Sequence, residues 1–273
     1  MADDAAPVVT TRHGSGGRIL IVTMNRPQVC NAMDRAMYRR LIQVLEDAVR
    51  DDAIRSVVLT GAGKYFSSGR DLDDAIQGRQ AAHDHFEHTM YREGGVAHFY
   101  GFLARYRKPL IAAVNGPGVG GGAVTAVLAD VAIMSSTAYL VYPELQRGTI
   151  PIGASLALPR LIGRQAAMLI LYTGGRCSAA EAERLGLIAR AVEPEKVMET
   201  ALAIAERVSE ANPIAVRLFK TALQAGPWGC HQSEDIAREA SEAIVESSAE
   251  YEKAWREAAE GAHRDYTALR KDE

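Results

Sequence analysis

Residues 114–124 of this chain read VNGPGVGGGAV, with five glycines in seven positions. The apolar run LIAAV precedes this stretch at 110–114, and the apolar run AVTAVLA follows it at 123–129. That order is typical of a strand, a turn and a buried helix. A helix that begins at three glycines presents free N–H groups and the positive end of its dipole. The stretch therefore predicts a site for an anion or a developing negative charge, although a turn that only permits close packing would have the same composition.

Nucleotide phosphates are not favoured as that anion. No Gly-Lys-Ser/Thr closes the turn, as it would in a phosphate-binding loop. A dinucleotide site would need, besides its glycines, an acidic residue about 20 positions further on at the tip of a second strand. The neighbouring segments must therefore identify the ligand.

Length and charge indicate a globular protein that acts on a small molecule. With 273 residues, 48% of them hydrophobic, the chain can bury one large core. Its formal net charge is -3, with both signs mixed along the sequence. Such a balance gives no basic surface for nucleic acid or for an acidic membrane. We expect a small-molecule ligand, no nucleic-acid partner and no membrane partner.

Targeting and metal-binding signals are also missing from the sequence. The three cysteines are far apart, which fits a reducing compartment and predicts no metal site. The run between Lys108 and Glu144 has Asp130 as its one charge, but its glycines and prolines would leave backbone groups unsatisfied in lipid. The acidic N-terminus lacks an export signal. We expect a cytoplasmic protein.

Strand and helix signals alternate on the N-terminal side of the glycine stretch. β-branched residues on either side of Gly14–Gly17 predict a β-hairpin over 8–24. An apolar stripe from Met33 to Val49 predicts an amphipathic helix, with Asn31 as its cap. Strands are predicted at 54–60, 110–114 and 131–134, followed by an apolar run at 139–145. This alternation predicts an α/β architecture with a buried sheet.

Another turn of small residues, GAGKYFSSGRDL, lies earlier in the chain, at residues 61–72. We call it the first turn and the stretch 114–124 the second turn, in chain order, and both leave backbone groups uncovered by side chains. The polar segment 73–106 that follows favours helix and carries His83, His85, His88 and His98. Their spacing does not stack three imidazoles on one helix face. We interpret this segment as a solvated or lid-like helix and not as a metal site.

The C-terminal part of the chain favours helix. Ser178 and Glu181 have the spacing of a capping box. Helices are predicted over 178–187, 195–209, 214–225 and 233–269. The apolar positions of the last segments need a surface to pack against, either the core or a neighbouring subunit. We divide the chain into a core of residues 1–205 and a helical region of residues 206–273.

Four motifs occur in a fixed order along the chain. They are NRP and NAM between Asn25 and Met33, VVLTG and FSSGRDL between Val57 and Leu72, KPLIAAVNG with the triple glycine between Lys108 and Asp130, and PE with a later Gly and Pro between Pro143 and Pro151. In this order they resemble the enoyl-CoA hydratase/isomerase (crotonase) superfamily, from about residue 8 to residue 225. The resemblance implies an α/β spiral of ββα repeats, followed by a helical region that makes trimers, commonly paired into hexamers.

An acyl-CoA thioester is the ligand that this resemblance implies, with coenzyme A carried on the substrate and no separate cofactor. The matching positions put the backbone N–H groups of Arg70 and Gly121 on the thioester oxygen, as an oxyanion hole. This agrees with the interpretation of both glycine turns as donor sites. Ser68, Gly69 and Gly120 would border the substrate, and the bare backbone around Ser68 would run beside the pantetheine and adenine.

The chain departs from the hydratase pattern at two positions. Hydratases of the superfamily hold a water between two glutamates, and the matching residues here are Glu144 and Val124. A small glycine that lies near this water corresponds to Ile152. The lost carboxylate and the added bulk both disfavour a bound, polarised water, so hydration by two carboxylates is not expected.

The site pattern is closest to the single-glutamate enoyl-CoA isomerases of the superfamily, which have an apolar residue at the first position. In that scheme Glu144 removes a proton from C2, the amides hold the enolate oxygen, and Glu144 returns the proton at C4. Val124 would disfavour the ionised form of Glu144 and so raise its pKa, as a proton shuttle requires.

Several site residues keep a second interpretation. Val124 also suits plain helix core, and Glu144 also suits a solvated loop. The Arg70 side chain either faces solvent or pairs with a carboxylate on the acyl group. Tyr142 either supplies a phenol to the pocket or packs in the core.

Other functions remain alternatives. A crotonase that forms or cleaves a carbon–carbon bond also fits one Pro-Glu carboxylate, as in the carboxymethylproline synthase branch. A hydratase could hold its water in another way. A non-catalytic scaffold or RNA-binding homologue is disfavoured by the acidic balance and by the retained Glu144.

Overall fold

The structure, a computed structural model, describes residues 6–74 and 95–225. The strands are β1 (Val8–His13), β2 (Ile19–Met24), β3 (Ser56–Gly61), β4 (Leu110–Val114), β5 (Gly118–Val119), β6 (Val131–Ser135), β7 (Tyr139–Val141), β8 (Cys177–Ser178) and β9 (Arg190–Val192). The helices are α1 (Arg35–Arg50), α2 (Val96–Leu103), α3 (Gly121–Val127), α4 (Ile152–Thr173), α5 (Ala179–Leu185), α6 (Val197–Glu210) and α7 (Pro213–Ala225). The order confirms the predicted α/β class.

Parallel strands build the main sheet, in the order β1-β2-β3-β4-β6-β9. β1 and β2 form the predicted antiparallel hairpin, and the other neighbours pair in parallel. Parallel neighbours require crossover connections, which place helices on the faces of the sheet. Every residue of β3 and β4 is accordingly buried. A smaller sheet contains β5, β7 and β8.

The two faces of the main sheet belong to two hydrophobic clusters. Val57 and Leu59 of β3 point into the larger cluster, which includes the apolar stripe of α1. Val58 points the other way, into a smaller cluster with the buried residues Val197, Ala201 and Ala205 of α6. Burial on both faces fixes the register of β3 and β4, because a one-residue shift would exchange the two sets of side chains.

The cap of α1 differs from the sequence-based expectation. The cap of α1 is Asp34, whose Oδ1 accepts the Met37 N–H at 2.8 Å, so the prediction of Asn31 as the cap is wrong. The apolar run at 139–145 is strand only as far as Val141. The predicted cap of α5 is confirmed, because the Ser178 hydroxyl accepts the Glu181 N–H at 3.2 Å.

α4 was not predicted from the sequence. Of the helices in the described ranges, it is the one that is long and apolar enough to cross a membrane, and 28% of its most apolar stretch is buried. However, the backbone is non-helical at Gly163, with φ 76° and ψ 161°, so α4 consists of two shorter helices. A span needs about 20 helical residues without a break, and neither half provides them.

The chain divides into two units, Met1–Val216 and Arg217–Glu273. The predicted assignment of residues 206–273 to a trimerisation region stays a prediction, and the predicted helix over 233–269 lies outside the described residues. Three of the four histidines singled out in the sequence, His83, His85 and His88, also lie outside them.

Candidate active site

The two glycine-rich turns meet because β3 and β4 are parallel neighbours. Thr60 and Ala113 are partners in register, so both turns leave the same edge of the sheet. Asn115 joins them: its Oδ1 accepts the Gly61 N–H at 3.1 Å and the Thr60 hydroxyl at 3.2 Å, and its Nδ2 donates to the Gly63 carbonyl at 2.9 Å. The second turn thus supplies the hydrogen bonds that shape the start of the first.

Asn31 holds the interior of the first turn. Its Nδ2 donates to the carbonyls of Ala62 and Tyr65, both at 2.8 Å, and its Oδ1 accepts the Arg26 N–H at 2.9 Å. The Ser67 hydroxyl in turn donates to the Asn31 carbonyl at 2.8 Å. Asn31 is fully buried with φ 55°, a left-handed conformation that Asn tolerates better than most residues. Sequence reasoning missed this role because it treated Asn31 as part of the helix that follows.

An ion-pair cluster fixes the end of the first turn against α1. The Arg26 guanidinium Nη1 lies 3.0 Å from the carboxylates of both Asp34 and Asp71, and donates to the Ala32 carbonyl at 2.8 Å. These groups are only partly exposed, so solvent screens the pairs less than at an open surface. No sequence pattern indicated this cluster.

The backbone N–H of Arg70 is directed away from α1. Met33 donates to the Gly69 carbonyl at 2.7 Å and accepts the Asp71 N–H at 3.0 Å, so Arg70 and Met33 form a short parallel bridge. In such a bridge the N–H of the central residue projects to the opposite side. The Arg70 N–H makes no hydrogen bond within residues 6–74 and 95–225. It is therefore a free donor.

A second free donor is the N–H of Gly121, the first residue of α3. Gly120 before it has φ 51° and ψ −116°, a conformation that needs glycine, and its N–H donates to the Val141 carbonyl at 2.7 Å. The Val124 N–H closes the first helical bond to the Gly120 carbonyl at 2.9 Å. The Gly121 N–H has no acceptor in the described part of the chain, as expected for the first turn of a helix.

These two amides lie side by side. Gly69, with φ +86°, is packed between them: a Cβ added there would collide with the Val119 carbonyl oxygen and lie 2.8 Å from the Gly121 nitrogen. A Cβ on Gly121 would lie 3.5 Å from the Arg70 nitrogen. Two unpaired N–H groups at such close range, one of them at a helix N-terminus, can hold one oxygen anion.

The smaller sheet positions Glu144 beside the turn that carries the Gly121 amide. Because Gly118 and Val119 of β5 pair with β7, the chain that leaves β7 runs beside the turn before α3. A Cβ on Gly120 would lie 2.9 Å from Glu144 Oε1. Glu144 Oε2 is buried and has no hydrogen-bond partner among the described residues. The carboxyl group is therefore turned into the protein and is not a solvated loop group.

Burial changes the acidity of this carboxyl group. Loss of solvent raises the pKa of Glu144, an effect that its own backbone N–H and the charge of Arg147 partly oppose. A carboxylate whose ionised form is disfavoured takes up a proton more readily than one in water. Such a group is suited to accept a proton and then return it.

Apolar and aromatic groups border the carboxylate. Val124 is buried, and a Cβ on Gly153 would lie 2.5 Å from Val124 Cγ1 and 2.8 Å from Cδ2 of the Tyr100 ring. The glycine in contact with Val124 is thus Gly153, one residue after the half-buried Ile152. Tyr142 is fully buried and its hydroxyl has no partner among the described residues, while the nearby charge of Glu144 adds to the burial that raises the pKa of Tyr142.

Ser68 uses both of its donors on the segment that precedes α1. Its N–H donates to the Cys30 carbonyl at 2.9 Å, and its hydroxyl donates to the Val29 carbonyl at 3.3 Å. These bonds fix Ser68 against that segment. No cluster of three or more His, Cys, Asp or Glu side chains suited to a metal ion occurs in the ranges that the structure describes.

Residues 14–260 match the enoyl-CoA hydratase/isomerase family. The chain belongs to that family. An acyl-CoA thioester is the substrate class expected of its members, and the main features of the fold and the recognised motifs agree with it.

Relatives within the family carry both activity names. A putative enoyl-CoA hydratase of Thermus thermophilus is 37% identical over 212 residues, which cover 77% of this chain and 82% of the relative. A short-chain-enoyl-CoA hydratase of Clostridium acetobutylicum is 34% identical, with 77% and 79% covered. Among solved structures, a monofunctional enoyl-CoA isomerase from M. smegmatis has a TM-score of 0.69 at 31% identity, with 84% of this chain and 98% of that chain covered.

Proposed function

We propose that this member of the enoyl-CoA hydratase/isomerase family is an isomerase that moves a double bond of an acyl-CoA from position 3 to position 2. The observation that carries the proposal is one buried carboxylate, Glu144, beside two free amides, with Val124 at the position where the hydratases hold a second glutamate. A single carboxylate can shuttle one proton but cannot hold a water between two acids.

The reaction begins at the two amides. The N–H groups of Arg70 and Gly121 donate to the thioester oxygen, and such donors typically contribute about 3–4 kcal/mol of transition-state stabilisation each. Glu144 removes a proton from C2, and the electron pair moves onto the thioester oxygen to give an enolate. The protonated Glu144 then delivers the same proton to C4, and the double bond forms between C2 and C3.

The test is a comparison of two substrates. The enzyme is incubated with a 3-enoyl-CoA and, separately, with a 2-enoyl-CoA, and the products are identified by mass and by chromatography against standards. We expect a 2-enoyl-CoA from the first and no 3-hydroxyacyl-CoA from the second. Glu144→Gln should abolish the shift while the affinity for CoA is retained, and an unchanged rate would remove this carboxylate from the mechanism.

Hydration is the second candidate, because two relatives that are 37% identical are named hydratases. Glu144 alone would then have to activate the water, with a group other than a carboxylate at position 124. Formation of 3-hydroxyacyl-CoA from the 2-enoyl-CoA would favour it. If neither substrate reacts, a carbon–carbon bond reaction on the same enolate becomes the better proposal.

We also propose that the enzyme is cytoplasmic, in agreement with its separated cysteines, and that it works as a homotrimer or a dimer of trimers, as the family resemblance implies. Four large apolar side chains of α4 support the oligomer, because Leu156, Leu161, Leu169 and Tyr172 are between 45% and 67% exposed. Light scattering should give three or six times the chain mass of 29.5 kDa. A monomer at micromolar concentration would contradict the proposal.

A further inference from the structure

Two tyrosine hydroxyls meet at the Cα of Gly121. A Cβ on Gly121 would lie 2.7 Å from the Tyr100 hydroxyl oxygen and 3.4 Å from that of Tyr38, besides its 3.5 Å distance from the Arg70 nitrogen. The two phenols come from different elements, Tyr38 from α1 and Tyr100 from α2. Three hydrogen-bond donors therefore surround the residue whose own N–H is the second free amide of the site.

Packing holds both rings in place. The rings of Tyr38 and Phe99 are 5.2 Å apart between centroids, and those of Phe99 and Tyr100 are 6.2 Å apart, both in tilted arrangements. The Tyr100 ring packs directly against Gly153, because a Cβ on Gly153 would lie 2.8 Å from the ring atom Cδ2 of Tyr100. Tilted aromatic pairs of this kind restrict ring position. The hydroxyls are thus positioned before any ligand arrives.

The two hydroxyls interact with each other, and a Tyr38 hydroxyl that donates to Tyr100 leaves the Tyr100 proton for a ligand. Tyr38 is 2% exposed, and its hydroxyl has no hydrogen bond of ordinary length among the described residues. A buried hydroxyl without a full hydrogen bond costs stability, so its position calls for an explanation. The buried oxygen Oε2 of Glu144 is in the same situation.

Burial keeps both phenols protonated. It raises the pKa of Tyr38 and of Tyr100, and the negative charge of Glu144 adds to the effect on Tyr100. The positive charge of Arg70 opposes the rise of the pKa in both cases. Neutral phenols can donate a hydrogen bond to an oxygen that gains negative charge.

From this arrangement we infer that the Tyr100 hydroxyl is a third hydrogen-bond donor to the enolate oxygen, with Tyr38 as the positioning residue behind it. The inference rests on the proposed function in that it requires a thioester enolate at the two amides. It does not require that the enolate be protonated at C4. The same third donor would serve any reaction that passes through this anion.

The test uses acetoacetyl-CoA, whose acyl group ionises to an enolate with its own near-ultraviolet absorbance. The absorbance of the bound ligand is followed against pH in the wild-type enzyme and in Tyr100→Phe. Loss of the donor should raise the pH at which the bound ligand ionises by about one unit or more, which is a tenfold or greater loss of enolate stabilisation. Affinity for CoA, which has no acyl oxygen, should change less than about twofold, and kcat should fall with KM nearly unchanged.

Further variants separate a donor from a structural role. Tyr172→Phe removes a hydroxyl from a 64% exposed ring of α4 and should leave the ionisation of the ligand unchanged. Tyr38→Phe should shift it in the same direction as Tyr100→Phe but by less. If Tyr100→Phe does not fold, 3-fluorotyrosine at position 100 keeps the ring and makes the phenol a stronger donor, so it should lower the pH of ionisation.

The inference is overturned if Tyr100→Phe leaves the ionisation of bound acetoacetyl-CoA unchanged, or if its affinity for CoA falls in parallel. It is also overturned if the fluorinated enzyme behaves as the wild type does. Failure of the isomerase proposal looks different. In that case the wild-type enzyme ionises bound acetoacetyl-CoA in a Tyr100-dependent way but leaves the double bond of a 3-enoyl-CoA in place.

Discussion

At the scale of single residues, Glu144 shows how a reactive group is obtained at the expense of stability. Its Oε2 is buried without a partner in the described part of the chain, although its own backbone N–H and the Arg147 charge offer partial compensation. A carboxylate in this position is harder to ionise than one in water. The same burial that would make Glu144 a proton carrier in the proposed reaction therefore destabilises the folded enzyme when the carboxyl group is charged.

Glu144→Gln should consequently raise the melting temperature at neutral pH. The unfolded chain ionises Glu144 freely, whereas the folded chain resists it, so the wild type is penalised above its raised pKa. Below the ordinary glutamate pKa the carboxyl group is neutral in both states, and the two proteins should melt alike. Thermal unfolding between pH 4 and pH 8 measures the difference, which should grow as the pH rises.

The control is Glu199→Gln, which replaces an exposed carboxylate that pairs with Lys196 at 2.9 Å. Exposed pairs of this kind contribute about 0–1 kcal/mol, so this variant should not gain stability as the pH rises. A Glu144→Gln enzyme that is less stable than the wild type at pH 8 would contradict the account of the buried carboxylate.

The pH profile of catalysis follows from the same shift. The base must be ionised to remove a proton from C2, so kcat/KM should fall as the pH drops through the raised pKa of Glu144 in the free enzyme. The acid limb should therefore lie above the pKa of an ordinary glutamate. Initial rates on a 3-enoyl-CoA across this range test it, and a limb at or below the ordinary value would show that Glu144 is not the base.

At the scale of elements, the two glycine turns work as one unit because their backbones touch. Gly69 is the point of contact, with a positive φ and with Val119 and Gly121 directly against it. Sequence composition predicted that both turns leave the backbone bare. It could not predict that they lie against each other, since this depends on β3 and β4 being neighbours in the sheet.

Gly69→Ala should therefore separate the two amides. The added methyl group collides with backbone atoms that cannot move independently, so we expect a loss of more than about 100-fold in kcat, as when an oxyanion-hole donor is removed. Gly16→Ala is the matched control: Gly16 also has a positive φ, of 67°, but nothing lies within 4 Å of its Cβ position. It should cost about 1–2 kcal/mol of stability and no activity.

The comparison of these two variants separates backbone strain from collision. Equal losses of activity in both variants would show that the positive φ at position 69, and not the contact with Gly121, causes the loss in Gly69→Ala. Unfolding in urea gives the stability of each variant, and initial rates on a 3-enoyl-CoA give its activity.

Asn31 stabilises the first turn through side-chain hydrogen bonds. Asn31→Ala removes the donor to the carbonyls of Ala62 and Tyr65 and should cost about 2–4 kcal/mol, because buried acceptors then lack a partner. Asn25→Ala removes a comparable bond to the Ala6 carbonyl, at 3.3 Å on the surface, and should change stability by less than about 0.5 kcal/mol. Urea unfolding of both variants measures this, and similar small losses would contradict the role given to Asn31.

At the scale of the whole molecule, hydrophobic periodicity and composition predicted most of the strands and helices. Contacts between distant parts of the chain determine the candidate site. The alternation of β-branched runs with the α1 stripe indicated a buried α/β sheet, and the hairpin and the Ser178 cap followed from local chemistry alone. Asn31 was misassigned because a side chain that bonds to a distant turn leaves no periodic signal. α4, which has a break at Gly163, was not predicted for a related reason. The apolar residues of α4 show no single helical stripe.

The candidate site divides in the same way. The Gly121 turn was identified from its glycines, and Glu144 from the resemblance to the superfamily. Tyr38 and Tyr100 were not, because one belongs to a regular apolar stripe and the other to a segment interpreted as a lid, and only the packing of α1 against α2 brings their hydroxyls to Gly121. Ile152 was singled out as the residue near the water position, whereas the residue that contacts Val124 is Gly153.

The central claim is that two backbone amides and one carboxylate act on the same thioester, and a crystal structure of Glu144→Gln with a bound 3-enoyl-CoA tests it most directly. The thioester oxygen should lie within about 3.2 Å of both the Arg70 and the Gly121 nitrogens. C2 and C4 should both lie within about 3.5 Å of the side chain at position 144. A thioester oxygen bound by neither amide, or a side chain at position 144 that faces away from C2, would contradict the account.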